Sequence, residues 1–333
     1  MVGPIEEEAT MSEILGDGEF RYRVEDEQWG ELPDGWDYDD VGGVAIDKDD
    51  NVYVFNRGPH PMVVFDQKGK LLANWGEGVF SRPHGAHYSA EDNTLYLTDD
   101  GDHTVRKCTL DGKVLQILGV PNQPSPFQSG LPFNRCTHTA LSPEGDLYVS
   151  NGYHNARVHK YSPEGDLLFS FGEPGIGLGQ FNLPHNIGCD ADGFVYVADR
   201  ENHRIQVFDG KGEVQAVLQN VHRPSALYTT PGREPLLYVG ECGPNQSFSW
   251  GAPNLGPRLS ILRHDGTLVT RLGEEPLRGV KAGQFVSPHG ICVDSHGDIY
   301  VGEVSWTGWP NIWGPGVERP MPIRALQKLV KVD

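Results

Sequence analysis

Short apolar runs recur along the chain, each followed by a turn rich in Asp, Gly or Pro and then by a second apolar run. The pattern is seen in "VGGVAIDKDDNVYVFNRG" from Val41, "PHGAHYSAEDNTLYLTDDG" from Pro83 and "THTALSPEGDLYVSNGY" from Thr137. It returns in "PHNIGCDADGFVYVADRE" from Pro184, "PSALYTTPGREPLLYVGECG" from Pro224 and "PHGICVDSHGDIYVGEVS" from Pro288. Each stretch reads as a strand, a tight turn and a second strand centred on Tyr-Val or Tyr-Leu. A third strand generally follows, as in "HRIQVFD" and "ARVHKYS", and a fourth such as "LLFSFG" comes after "GD" or "GK". Four short strands in a unit of about 40 to 60 residues mark a propeller blade.

The six units predict an all-β, six-bladed β-propeller with four-stranded antiparallel blades, occupying residues 18–333 as one domain. The last unit has two clear strands and a third in "LQKLVKVD", so the N-terminal "EFRYRVEDEQW" is free to supply its outer strand. Such closure removes two sheet edges that would otherwise invite aggregation. Residues 1–17 are expected to be a flexible acidic segment. The 42 glycines and 25 prolines among 333 residues suit a chain of tight turns.

Charge and cysteine content narrow the partners. A formal charge of −19 opposes nucleic acid or an anionic membrane, because phosphate contacts need clustered Lys and Arg. No stretch approaches the roughly 18 apolar residues of a membrane span. The acidic N-terminus lacks the basic and apolar regions of a signal peptide, which predicts a cytoplasmic protein. The five cysteines show no CxxC spacing and no disulfide framework is expected.

Candidate chemistry collects where first strands begin and second strands end, because antiparallel strands bring both to one face. The first-strand starts carry Gly42, His84, His138, His185, Ser225 and His289. The second-strand ends carry Asn56-Arg57, Asp99-Asp100, Asn151-Gly152-Tyr153, Asp199-Arg200, Glu241 and Glu303. The insertions 119–136, 242–257 and 305–322 open onto the same face, marking the working end of the channel. Three neutral imidazoles from this ring suit Zn²⁺ with an open position, and equally iron, cobalt or manganese. The carboxylates Asp99, Asp199, Glu241 and Glu303 are expected to tie down turns. Arg57 and Arg200 need an anionic partner, a neighbouring Asp or a substrate carboxylate. Trp306, Trp309 and Trp313 are candidates either for an apolar substrate group or for the core of their own loop.

The segments "GQFNLPHNI" and "VADRENHRIQVFD" are NHL-repeat motifs. The ordered set "FNRG", "RPHG", "NGYHNARVHKYSPEG", "LPHN", "VADRENHRIQ" and "SPHG" resembles the peptidyl-α-hydroxyglycine α-amidating lyase family from about residue 40 onward. The resemblance implies a six-bladed propeller with zinc held by His84, His185 and His289. It also implies a catalytic Tyr153 with Arg57 beside it, and Arg200 as a second arginine at the site. His138 has no counterpart among the family's ligands and is expected to contact substrate or support the site. The family's structural calcium partly uses an Asp directly after the last histidine ligand. Gly290 stands there in this chain, which counts against calcium.

The implied reaction breaks the C–N bond of an N-acyl hemiaminal, giving an amide and glyoxylate. The eukaryotic family members are secretory and disulfide-bonded; this chain shows neither trait, so a small molecule carrying a carboxylate is the expected substrate. Three other readings stand beside it, one of them the same lyase chemistry on a ureido-glycolate or another carbinolamide. A gluconolactonase-type hydrolase would bind its metal through Glu303, Asp199 and Asn151 but leaves the histidines unexplained. A non-catalytic NHL scaffold has no need of converging histidines.

Overall fold

The computed structural model describes residues 14–25, 29–314, 316–321 and 323–332. Five blades are four-stranded antiparallel sheets whose strands follow chain order from one side of the sheet to the other. They begin with the strands Val41–Ile46, Pro83–Ser89, His138–Leu141, Pro184–Cys189 and Pro224–Thr229. The sixth begins with Pro288–Val293 and Ile299–Glu303, and its third strand is Leu326–Val332. Phe20–Val24 adds beside that third strand, with Arg21 opposite Val332 and Val24 opposite Leu329. Of the segment 1–17, residues 1–13 lie outside the described residues. Ile14–Asp17 is not a loose tail: it forms a fifth strand on Phe20–Val24.

The repeated tyrosine has a local cause. Asp47 Oδ1 accepts N–H bonds from Asp49 and Asn51, while its Oδ2 accepts the hydroxyl of Tyr53. Asp190 does the same with Asp192, Phe194 and Tyr196, and Asp294 with His296, Asp298 and Tyr300. One side chain thereby closes the hairpin turn and pins the next strand.

Blades adhere through apolar layers. Tyr53, Phe55, Met62 and Val64 of the first pack against Leu95, Leu97 and Cys108 of the second, all buried. Burying a side chain of this size contributes about 1.5–3 kcal/mol, so each interface contributes several times the stability of any one hydrogen bond. The five cysteines are unpaired. No helix among the described residues is long and apolar enough to cross a membrane.

Candidate metal centre

Each innermost strand but one carries a bulge near its start. Val41 pairs with Asn56 and Gly43 with Phe55, leaving Gly42 extra. The same two-against-one register isolates His185, Ser225 and His289 and sets His84 between Pro83 and Ala86. A bulged residue leaves the ladder, so its side chain is re-aimed, here toward the channel axis. In the third blade, His138 sits opposite Ser150 and Thr137 donates its N–H to the Ser150 carbonyl. Thr137 therefore holds the ring position, and the placement of His138 there is corrected by one residue.

With that register the ring reads Gly42, His84, Thr137, His185, Ser225, His289. Histidine alternates with a smaller residue, and the alternation builds the site. His84 Nδ1–H donates to Thr137 O at 2.7 Å, His185 to Ser225 O at 2.6 Å and His289 to Gly42 O at 2.7 Å. Every histidine is thus fixed by the carbonyl of the next blade, which sets its tautomer and leaves Nε2 as the acceptor. The ligand atoms of the three lie within 4.8 Å of one another. Ring centroids stand 4.9, 4.5 and 4.7 Å apart.

All three imidazoles are buried, and burial holds their pKa values well below the usual range. Repulsion from His289 and His185 adds to this at His84, from Arg200 at His185 and from Arg57 at His289. His289 Nε2 is buried without a hydrogen-bond partner. Tyr153 Oη stands between the other two, 3.2 Å from His84 Nε2 and 3.0 Å from His185 Nε2, and its single O–H can serve one of them at a time. Three neutral, convergent nitrogens with an orphan among them fit a divalent transition metal.

Above the histidines opens a cavity of about 320 Å³ with six arginines in its lining: Arg57, Arg82, Arg135, Arg200, Arg223 and Arg278. Arg135 lies with its guanidinium carbon 4.5 Å from the Tyr153 ring centroid and Arg200 5.7 Å from it. The cations against the tyrosine ring are these two. Arg57 instead bonds Asp40 at 3.1 Å and the Pro83 carbonyl, and its Nη2 is buried without a partner. Asp100 accepts from both Arg82 and Arg135, and Glu201 from both Arg200 and Arg223. Burial raises the Glu201 pKa, but Arg223 and Arg200 outweigh it and bring the carboxyl down to about 2.

Arg82, Arg135, Arg223 and Arg278 escape the sequence reading. Three of them stand two residues before a ring position, Arg82 before His84, Arg135 before Thr137 and Arg223 before Ser225. Assigning the third blade to His138 hides that register. Backbone bonds bind this layer to the ends of the second strands: Arg57 N–H donates to Asp40 O, Asp100 to Arg82 O, Arg200 to Leu183 O and Cys242 to Arg223 O.

Other candidates resolve as follows. His138 lines a separate cavity of about 290 Å³ with His87, Tyr228 and Cys292, along the farther parts of the innermost strands. It is therefore not a contact in the arginine cavity, and burial brings its pKa down to about 4. Asp99, Asp199, Glu241 and Glu303 all accept N–H bonds from the loop entering their own blade, at Arg82, Asn182, His222 and Val286 respectively. Asn151 is occupied with Asn134 and His159. The carboxylate and Asn set of a gluconolactonase-type site is thus engaged in the scaffold. The last insertion forms a helix, Ser305–Trp313, whose Trp309 stacks on Trp313 at 4.0 Å. Arg319 covers Trp306, so the tryptophans form the insertion's own core, while Thr307, Gly308, Asn311 and Ile312 face the cavity.

Comparisons with known proteins agree with this architecture. The NHL repeat model matches residues 181–208. NHL repeat-containing protein 3 of Homo sapiens is 31% identical over 278 residues, covering 78% of this chain and 76% of that one. Peptidyl-alpha-hydroxyglycine alpha-amidating lyase 1 of Drosophila melanogaster is 30% identical over 256 residues, 71% of this chain and 45% of that one. The structure of virginiamycin B lyase from Staphylococcus aureus superposes with a TM-score of 0.59 at 13% identity, covering 93% of this chain and 100% of that one, which shows a shared fold. The chain belongs to the family of NHL-repeat six-bladed propellers that includes NHL repeat-containing protein 3 and the peptidyl-α-hydroxyglycine α-amidating lyases.

Proposed function

We propose that the protein is a metal-dependent carbon–nitrogen lyase that cleaves a small N-acyl α-hydroxyglycine, or a related carbinolamide, to an amide and glyoxylate. The observation that carries this reading is the histidine triad with every Nδ1 locked and every Nε2 convergent, under a cavity lined by arginine. Relatives named as amidating lyases support the reaction class.

His84, His185 and His289 would hold the metal, zinc being the first candidate among the divalent transition metals. Bound there, it supplies Lewis acidity that lowers the pKa of a hydroxyl group. The remaining chemistry belongs to the side chains. Tyr153 Oη stands beside two of the three nitrogens, where, as the phenolate, it would receive the hydroxyl proton of the substrate and become the phenol. As the carbonyl of glyoxylate forms, the C–N pair stays on nitrogen, and the proton held by Tyr153 completes the amide. Arg200 and Arg57 hold the substrate carboxylate, using donors such as the unpartnered Arg57 Nη2. The helix Ser305–Trp313 walls the cavity and limits water around the hemiaminal.

The test is glyoxylate release from N-acetyl-α-hydroxyglycine by zinc-loaded protein, with Tyr153→Phe alongside. Release that falls about 10²–10⁴-fold in the variant, with metal content unchanged, supports the assignment. Full activity in the variant overturns the role of Tyr153, and no release from wild type overturns the reaction.

A further inference from the structure

The cavity holds more positive charge than one carboxylate requires. Six arginines line it, and among the described residues the carboxylates bonded to them are three: Asp40 on Arg57, Asp100 on Arg82 and Arg135, Glu201 on Arg200 and Arg223. The local balance is therefore +3 in a chain of net charge −19. Arg57, Arg82 and Arg200 bear electrostatically on the histidines. Arg223 and Arg278 form a second group on the loop of the fifth blade: Arg223 Nη1 donates to the Gly243 carbonyl at 3.0 Å and Arg278 Nη2 to the adjacent Pro244 carbonyl at 2.9 Å.

Among the described residues Arg278 has no carboxylate as a hydrogen-bond or ion-pair partner, and its Nε and Nη1 are buried without any partner. Donors of a charged group left unmatched away from water cost free energy until an acceptor arrives. Two neighbouring guanidinium groups also repel, and Glu201 answers only one of them. Geometry and charge together call for an oxyanion at this place, beside the Gly243 and Pro244 carbonyls and in the same cavity.

We infer that the substrate carries two anionic groups, one held near the histidines by Arg57 and Arg200 and a second, at the far end of its acyl part, held by Arg278 and Arg223. The substrate class is an N-acyl hemiaminal whose acyl chain ends in a carboxylate or a phosphoryl-type oxyanion. That the substrate is an N-acyl hemiaminal, with its first anion the glyoxylate-forming carboxylate, rests on the lyase reading; the second anion site rests on the arginines alone.

The experiment separates the two. Unreactive glycine analogues lacking the hydroxyl are titrated calorimetrically into zinc-loaded protein: N-acetylglycine with one anion, N-succinylglycine with a second carboxylate, and N-(phosphonoacetyl)glycine with a phosphonate. A dianionic analogue is expected to bind about tenfold more tightly or better than N-acetylglycine, the effect of one added charge-assisted hydrogen bond or more. Preference for succinyl over phosphonoacetyl, or the reverse, identifies the second anion. In Arg278→Gln the preference falls toward unity, whereas Arg278→Lys retains part of it, and thermal melting verifies that both variants fold. Equal affinity for mono- and dianionic analogues in wild type, or an undiminished preference in Arg278→Gln, overturns the inference. Glyoxylate release is read separately: its absence defeats the lyase reading without touching the binding preference.

Discussion

Asp40 ties the cavity floor to its wall, and replacing it tests whether the arginine layer is held by buried charge. Its side chain is 1% exposed and that of Arg57 9%. Oδ2 accepts from Arg57 Nη1 at 3.1 Å and from Thr307 Oγ1, and Oδ1 accepts from Thr307 N at 3.0 Å. At 3.1 Å and an effective dielectric constant near 20, the ionic attraction is about 5 kcal/mol before desolvation is subtracted. Asp40→Asn keeps the shape and one acceptor but leaves a buried guanidinium uncompensated, so the loss in unfolding free energy is expected to be about 3 kcal/mol. Urea denaturation measures it, with an unchanged m-value showing that the compactness of both states is unaltered. Adding Arg57→Met removes the stranded charge and is expected to recover about 1 kcal/mol or more, the signature of coupling between the two sites. A loss below about 1 kcal/mol, or no recovery in the double variant, refutes the argument that this pair is electrostatically coupled.

Two further outcomes follow from the same structure. A methyl group on Gly42 would meet the Pro83 and His84 carbonyl oxygens at 2.7 and 2.8 Å, so Gly42→Ala forces the backbone to shift around the residue whose carbonyl orients His289. Zinc affinity by competition with a chromogenic chelator is expected to fall about 10–100-fold, and an unchanged affinity contradicts the role of that carbonyl. Burial raises the Glu303 carboxyl to about 7 from an ordinary 4.5, despite the bonds it accepts from Val286, Gln327 and Ser287. The folded protein therefore binds more protons between those values, and this residue's contribution to stability falls as pH rises through them, by about 3 kcal/mol in all. Glu303→Gln should flatten the stability profile between pH 4.5 and 7, and an unaltered slope contradicts the assignment.

The blades are legible in the sequence because apolar strands that must pack on both neighbours repeat in every unit, and because three of the six add a hairpin turn that Asp47, Asp190 or Asp294 closes through a tyrosine. His84, His185 and His289 are legible because each follows a proline at a strand start. His138 shows where the pattern fails. It lies at a strand start too, but without a two-for-one bulge it projects one position along, and the ring residue is Thr137. A bulge is a matter of register between strands, which no single strand discloses. The arginine layer is hidden in part for the same reason, since Arg135 joins Arg82 and Arg223 two residues before a ring position only once Thr137 is placed. Backbone conformation at Arg135 and Arg223, with φ of +58° and +52°, re-aims residues that a strand pattern reads as mere linkers. Arg278 comes from a different loop, and only folding brings it beside Arg223. The tryptophans of the last insertion illustrate the converse: conspicuous in sequence, they serve the insertion's own packing.

The central claim is that three alternating blades hold one transition metal. Elemental mass spectrometry of the purified wild-type protein, beside His289→Ala and both after exposure to excess zinc and desalting, tests it most directly. The account predicts about one metal ion per chain in the wild type and its loss in the variant, since a metal would satisfy the orphan His289 Nε2. A wild-type protein that retains no metal after zinc is offered, or a variant that retains as much as wild type, contradicts the account.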